Sequence, residues 1–293
     1  MADWADNLLA QRERLVALVA GYGSCAVAYS GGVDSAVVAK AAREALGDRA
    51  IAVTGVSASL ADGELEQAES LARLIGIRHE RLTTDEVQNP AYAANAPDRC
   101  FHCKMVLYTK LGALAKRLDL AVIANGTNAD DLGDYRPGLA AAAEHGVCSP
   151  LAECRFTKAD VRALAASWGL PVAGKPASPC LSSRIAYGQA VTPERLRMID
   201  RAEQVVRSLG IEVCRVRCLE GDVARIEVPL ESIPLVNEHE ALLTPALTAL
   251  GFASVIVDPR GFRSGRLNEG LSVYQIRPPA DRRDRAPCRS TPA

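Results

Sequence analysis

Six residues near the start of the chain, Ser30-Gly-Gly-Val-Asp-Ser35, are of the types that hold a pyrophosphate. The glycines let the backbone bend sharply and present N–H groups to an anion. Ser30 and Ser35 add hydroxyl donors. Asp34 cannot favour an anion directly, so its expected task is to bind Mg²⁺ shared with phosphate oxygens. No lysine closes the string, which separates it from the loop of phosphoryl-transferring NTPases. A second polar segment, Asn125-Gly-Thr-Asn-Ala-Asp-Asp131, is rich in turn-forming side chains.

Sulfur chemistry is the other possibility on view. Cys100 and Cys103 form Cys-x-x-Cys between Arg99 and Lys104, and Cys180 lies in Ser178-Pro-Cys-Leu-Ser-Ser-Arg-Ile185. A Cys-x-x-Cys pair alone is open to zinc, an iron–sulfur cluster, a redox pair or no ligand at all. Ser183 and Arg184 stand close to Cys180 and are expected to face the same centre. Arg215 and Arg217, two apart, put two cations on one face of a strand, with Glu220, Glu227 and Glu231 nearby in sequence. Planar guanidinium forks suit phosphate, although a solvated strand face laced with ion pairs accounts for them as well. Cys25 reads as buried strand core, and Cys148, Cys154, Cys214, Cys218 and Cys288 have no comparable context.

The elements that must position these groups follow from periodicity. Residues 3 to 20 carry an amphipathic helix pattern on Leu8, Leu9, Leu15, Leu18 and Val19. Short apolar runs at 25–29, 50–56 and 120–124 read as strands, and 77–82 looks like a further one. Helical patterns at 35–46 and 64–75, each closed by glycine, alternate with those at 25–29, 50–56 and 77–82. That alternation predicts an α/β fold with a parallel sheet covered on both faces. The phosphate-loop string then sits at the first strand-to-helix junction, and the Asn125 segment at the carboxyl end of the fourth strand, where open parallel sheets bind ligands. Thr157 is a plausible cap for a helix opening at Phe156-Thr-Lys-Ala-Asp-Val161, read as structural. After Cys180 the pattern changes. Thr192-Pro starts a helix running to about Leu209, alternating strands follow at 211–219 and 223–228, then a helix around 238–250 and a last core strand at 253–257. The expected division is 1–180, a smaller α+β domain over 181–276, and a disordered tail over 277–293, rich in Pro, Arg and Asp.

Composition narrows the class. The chain has 293 residues, 34 Lys plus Arg against 35 Asp plus Glu, and a formal net charge of -1. Such balance argues against a large nucleic-acid footprint. No apolar run reaches the length of a membrane span, and the acidic start lacks the basic region of a signal peptide, so a cytoplasmic protein is expected. Nine cysteines in such a chain point to metal or catalytic roles rather than structural disulfides.

The Ser30–Ser35 string resembles that of the PP-loop ATP pyrophosphatase superfamily. That resemblance implies a Rossmann-like domain that splits ATP between its α and β phosphates and adenylylates a substrate. It implies a nucleotide site at Ser30, Gly31, Gly32, Asp34, Ser35, Gly126 and Thr127, with Asp130 or Asp131 helping to hold Mg²⁺. Together with Arg99–Lys104, the segment 125–138 and the surroundings of Cys180, the chain resembles the LarE family of ATP-dependent sulfur transferases nearly to its tail. Membership implies sulfuration of pyridinium-3,5-biscarboxylic acid mononucleotide, toward the nickel-pincer nucleotide cofactor. The resemblance puts the substrate phosphate on Arg215 and Arg217 and catalytic carboxylates at Glu203 and Glu227. Two sulfur sources are known in the family: a sacrificed cysteine matching Cys180, or a [4Fe-4S] cluster on three cysteines with an open iron. All three cysteines being present favours the cluster over zinc and over sacrifice. The family also implies a homo-oligomer and a functional link to the carboxylase and nickel insertase of the same pathway. The rivals are a tRNA thiolase, an amide-forming synthetase and a non-catalytic nucleotide-binding module.

Overall fold

A computed structural model describes residues 2–133, 136–176 and 178–263. The first unit runs α1 (Ala2–Ala20), β1 (Cys25–Ala28), α2 (Val33–Leu46), β2 (Ala50–Val56), α3 (Glu64–Ile75), β3 (Arg78–Thr83), α4 (Pro90–Ala93), α5 (Arg99–Arg117), β4 (Val122–Ala124), α6 (Pro137–Glu144), α7 (Pro150–Glu153) and α8 (Lys158–Ser167). The second comprises α9 (Pro193–Arg207), β5 (Arg215–Leu219), β6 (Val223–Glu227), α10 (Ile233–Glu238), α11 (Glu240–Ala249) and β7 (Ser254–Val257). Both units fit the expected α/β class with a smaller α+β part.

The first sheet has the order β3-β2-β1-β4 and is parallel throughout. Strands β1, β2 and β4 are apolar and largely buried, as a sheet covered on both faces requires, whereas the edge strand β3 is polar and partly exposed. Leu15, Val19, Val37 and Leu164 belong to the core formed with α1, α2 and α8. Ala26, Ile51 and Val53 belong to another with Tyr108 and Leu111 of α5 and Ala141 of α6. Chain order reverses between β1 and β4, so a crevice opens at their carboxyl ends. The segments that leave those ends are Ser30–Ser35 and Asn125–Asp131.

The second sheet has the order β5-β6-β7, antiparallel then parallel. Its core gathers Leu196 and Ile199 of α9, Val216 and Ile226, and Leu243 and Leu247 of α11. Tyr92, from α4 of the first unit, is buried in this same cluster.

Several expectations need correction. Leu9 is half exposed, because α1 packs along the stripe of Leu15 and Val19 and Leu9 lies off it. The helix expected around 238–250 is α11, and a short helix that was not expected, α10, precedes it and ends at Glu238. The last strand is an edge strand rather than core: β7 pairs on one side only, and Ile256 is 46% exposed. Helix α5, nineteen residues long, was not expected at all. The segment 277–293 and Cys288 lie outside the described residues.

Candidate active site

The phosphate loop is set by two close approaches. Gly31 has φ +72°, and a Cβ there would stand 3.0 Å from Ala68 of α3. Gly126 lies so close to the loop that a Cβ would be 2.7 Å from the amide nitrogen of Ser35. Within the loop, Ser35 Oγ donates to Gly32 O at 3.0 Å and accepts from Ser30 N at 3.2 Å. Helix α2 begins at Gly32 without a side-chain cap, and a helix end of this kind suits an anion.

Asn128, buried, organises the acidic side. Its Nδ2 donates to Asp34 Oδ1 at 3.0 Å, and its backbone N–H donates to Asp131 Oδ2 at 3.1 Å. Asp34 and Asp131 therefore share one wall. Mg²⁺ asks for one or two carboxylates plus substrate phosphates, and this pair fits it. Asp130 is engaged elsewhere, accepting from the backbone N–H of Lys158 at 2.8 Å. Lys158 itself forms an ion pair with Asp34. Its helix is anchored by a capping box in which Thr157 and Asp160 satisfy each other's backbone N–H groups.

Cys100 and Cys103 lie one turn apart at the start of α5, on one face of the helix. Cys180 precedes a tight turn, Leu181–Arg184. All three line one cavity of about 700 Å³, together with Ser30, Gly32, Asp34, Ser35, Gly126, Thr127 and Asp131. Burial pushes the Cys103 thiol up to about 12, against the pull of Lys104. Burial would lower the Lys104 ammonium, yet Tyr108 and the three thiols outweigh it and hold it above its ordinary value. Three sulfurs beside a half-buried cation are a donor set that fits a thiolate-held cluster. Among the described residues, no three His, Cys, Asp or Glu side chains already converge as a metal site.

The remaining expected residues, Ser183, Arg184, Glu203, Arg215, Arg217 and Glu227, are not in the cavity wall. Arg184 is 1% exposed; its guanidinium donates to Glu203 at 2.9 Å, to Cys180 O at 2.9 Å, to Ser183 Oγ and to Pro179 O. Glu203, fully buried, also accepts from Arg207 at 2.7 Å and from Val216 N at 3.2 Å. Arg217 bonds Glu227 at 2.8 Å and Ser183 O at 3.0 Å, and Arg225 reaches Glu227 at 2.9 Å. Arg215 stacks over Phe262 at 5.4 Å. Its guanidinium is lowered by burial and by Arg184. This ion-paired layer touches the thiol region through Ser183 and Arg184, which close the turn that follows Cys180.

Sequence reasoning missed four residues here. Lys158 was legible only as part of a helix start, and Lys104 only as a flank of the cysteine pair. Asn128 sat inside a quoted segment without a role. Glu86 had no sequence signal: it is 2% exposed, lines the cavity, and its Oε1 accepts from Ser57 at 2.5 Å and Ser59 at 2.9 Å.

No protein-family model matches the chain. It is 46% identical to an uncharacterized protein of Synechocystis sp., over 84% of this chain and 92% of that one. It is 37% identical to the pyridinium-3,5-bisthiocarboxylic acid mononucleotide synthase of Lactiplantibacillus plantarum, over 92% of this chain and 98% of that enzyme. A shorter match, 35% identical, joins 58% of this chain to 54% of the tRNA-specific 2-thiouridylase MnmA of Xanthobacter autotrophicus.

Proposed function

The chain belongs to the family of pyridinium-3,5-bisthiocarboxylic acid mononucleotide synthases, the LarE family, and we propose that it is an ATP-dependent sulfur transferase acting on the biscarboxylic acid mononucleotide. The observation that carries this reading is the shared cavity: the phosphate loop and three cysteines face one space. An activation chemistry and a sulfur chemistry so close together suit one reaction in two halves.

In the first half, ATP lies with its phosphates on Ser30–Ser35 and the uncapped end of α2. A substrate carboxylate attacks the α-phosphate and pyrophosphate leaves. Mg²⁺ on Asp34 and Asp131 would supply charge neutralisation for that leaving group. Lys158, which pairs with Asp34, is freed toward the phosphates once Asp34 takes a cation. In the second half, sulfur displaces AMP, a far better leaving group than oxide. Cys180 is exposed at the cavity, as is Cys100, and is the thiol assigned to this step.

Cys100, Cys103 and Cys180 would hold a [4Fe-4S] cluster, and three protein thiolates leave one iron for a sulfur that no side chain gives up. Arg184 and Ser183, with the Arg217–Glu227 and Glu203 pairs behind them, form the side from which the mononucleotide phosphate is held. We further propose a homo-oligomer that supplies the nickel-pincer nucleotide pathway beside a carboxylase and a nickel insertase.

Cys180→Ala tests the division into halves. Pyrophosphate release from ATP and the mononucleotide is expected to persist while thiolated product disappears. Product at the wild-type rate would remove Cys180 from the reaction. Iron and acid-labile sulfide analysis after anaerobic purification separates the two sulfur sources, since the sacrificial route needs neither.

A further inference from the structure

Between the two units lies a buried polar layer that no step above uses. Asn95 is fully buried, with φ +54°. Its Nδ2 donates to Ala186 O at 2.8 Å, Gln189 O at 2.9 Å and Ile185 O at 3.3 Å. Its Oδ1 accepts from Arg99 Nη1 at 2.5 Å. The same Nη1 donates to Ser182 O at 2.7 Å. Tyr92 completes the layer, with its hydroxyl 2.5 Å from Ser182 Oγ. Arg99 is 3% exposed and Ser182 fully buried.

The placement matters more than the number of bonds. Arg99 immediately precedes Cys100 on α5, and Ser182 follows Cys180 by two residues. One guanidinium nitrogen thus ties the helix turn bearing two thiols to the turn bearing the third. A second tie runs from Leu181 N to Ser59 O at 2.9 Å, and Ser59 Oγ is held by Glu86. Burying a guanidinium is costly, and an apolar side chain of similar volume would join two units at lower cost. A fully satisfied polar network instead selects one arrangement of the parts it connects.

We infer that Asn95 and Arg99 are positioning residues, which set the separation of Cys180 from Cys100 and Cys103 for sulfur transfer. The inference rests on the proposed function for its kinetic consequence but not for its geometric one. Two half-reactions then respond differently to the same change. Adenylylation depends on the phosphate loop, whose hydrogen bonds run within itself and to Asn128 and Lys158 rather than to this layer. Sulfur transfer depends on the thiol spacing, where a misplacement of about 1 Å costs on the order of 100-fold.

The test compares Arg99→Met, Arg99→Lys and Tyr92→Phe with wild type in three measurements. Arg99→Met is expected to release pyrophosphate within about twofold of wild type and to lose thiolated product on the order of 100-fold. Arg99→Lys, which can still donate to Ser182 O, is expected to recover part of that loss. A short bifunctional thiol reagent is expected to join Cys180 to Cys100 or Cys103 in the wild-type protein, and to do so less in Arg99→Met. Tyr92→Phe removes one hydroxyl and keeps the ring, so it covers the case in which Arg99→Met fails to fold; a smaller loss of the same kind is expected. Unchanged product formation with unchanged cross-linking overturns the inference, and so does a parallel fall of both half-reactions. A wild type that releases no pyrophosphate counts against the proposed function, while the cross-linking comparison still decides the positioning.

Discussion

Gly126 is the tightest point on the nucleotide side. An added methyl would stand 2.7 Å from Ser35 N and 3.0 Å from the carbonyl carbon of Asp34, both backbone atoms that cannot swing away. Gly126→Ala must therefore push the two loops apart where the phosphates are held. The expected outcome is a protein that still folds but whose pyrophosphate release falls at least about tenfold, the equivalent of ~1.4 kcal/mol in transition-state binding. Wild-type kinetics in that variant would show that the loops need not touch. At this scale the sequence was a good guide wherever one residue type is forced. The glycines, the serines and Asp34 could be read because only those types do that work at a strand-to-helix junction. Lys158 and Glu86 could not, because each takes its place only through a partner, Asp34 or Ser57 and Ser59, that the fold brings near from 124 or about 30 residues away. Arg184 was readable as a neighbour of Cys180, but not as a brace, since its partner Glu203 comes from α9.

Among the elements, α8 and α5 make the contrast. Helix α8 announces itself: Thr157 caps the N3 N–H, Asp160 returns the bond, and the apolar stripe of Val161, Leu164 and Ala165 follows. Thr157→Ala should cost about 1 kcal/mol, as an N-cap loss does. A shift of the urea midpoint without a change of slope would measure it, and no shift would mean that the tertiary contacts of α8 hold its end unaided. The same variant loosens the helix turn that carries Lys158, so a modest loss of pyrophosphate release should accompany the loss of stability. Helix α5 has no such signature. Asp98 makes no side-chain cap bond, and the first turn is occupied by Arg99, Cys100, Phe101 and His102. What stabilises that end is tertiary: Arg99 reaches Asn95 and Ser182, and Tyr108 and Leu111 pack beneath the sheet. Strands β1, β2 and β4 were legible because burial on both faces leaves continuous apolar runs, a pattern that the polar edge strand β3 lacks. Strand β7 was misjudged because its run of Val255, Ile256 and Val257 looks the same whether it is central or at an edge.

Taken whole, the molecule has a core on each face of the first sheet and a third in the second unit, and a residue from the first unit sits in that third core. Tyr92 is 1% exposed within the cluster of Leu196, Ile199 and Val216. Tyr92→Ala should cost about 3–5 kcal/mol, the range for removing a buried aromatic side chain, and should lower the denaturation midpoint of the whole chain. A fragment covering only 181–263 lacks that ring and the backbone bonds from Val191 to Ala93 and from Gly188 to Asn95. It is expected to show no cooperative unfolding transition, and a sharp transition matching the full chain would contradict this. A boundary near residue 180 looked natural from composition, because the change from parallel to antiparallel patterning falls there. Long-range packing, which no local pattern encodes, carries Tyr92 of the first unit into the core of the second.

That shared packing bears on how the protein can be rebuilt. A graft that joins this phosphate-binding half to the second half of a relative at residue 180 would carry Asn95 into a setting chosen for other carbonyls. Its amide would meet a foreign loop, and the thiol on that loop would arrive in a register nobody selected. The transferable module is the second half together with residues 86–99, two pieces exchanged as one.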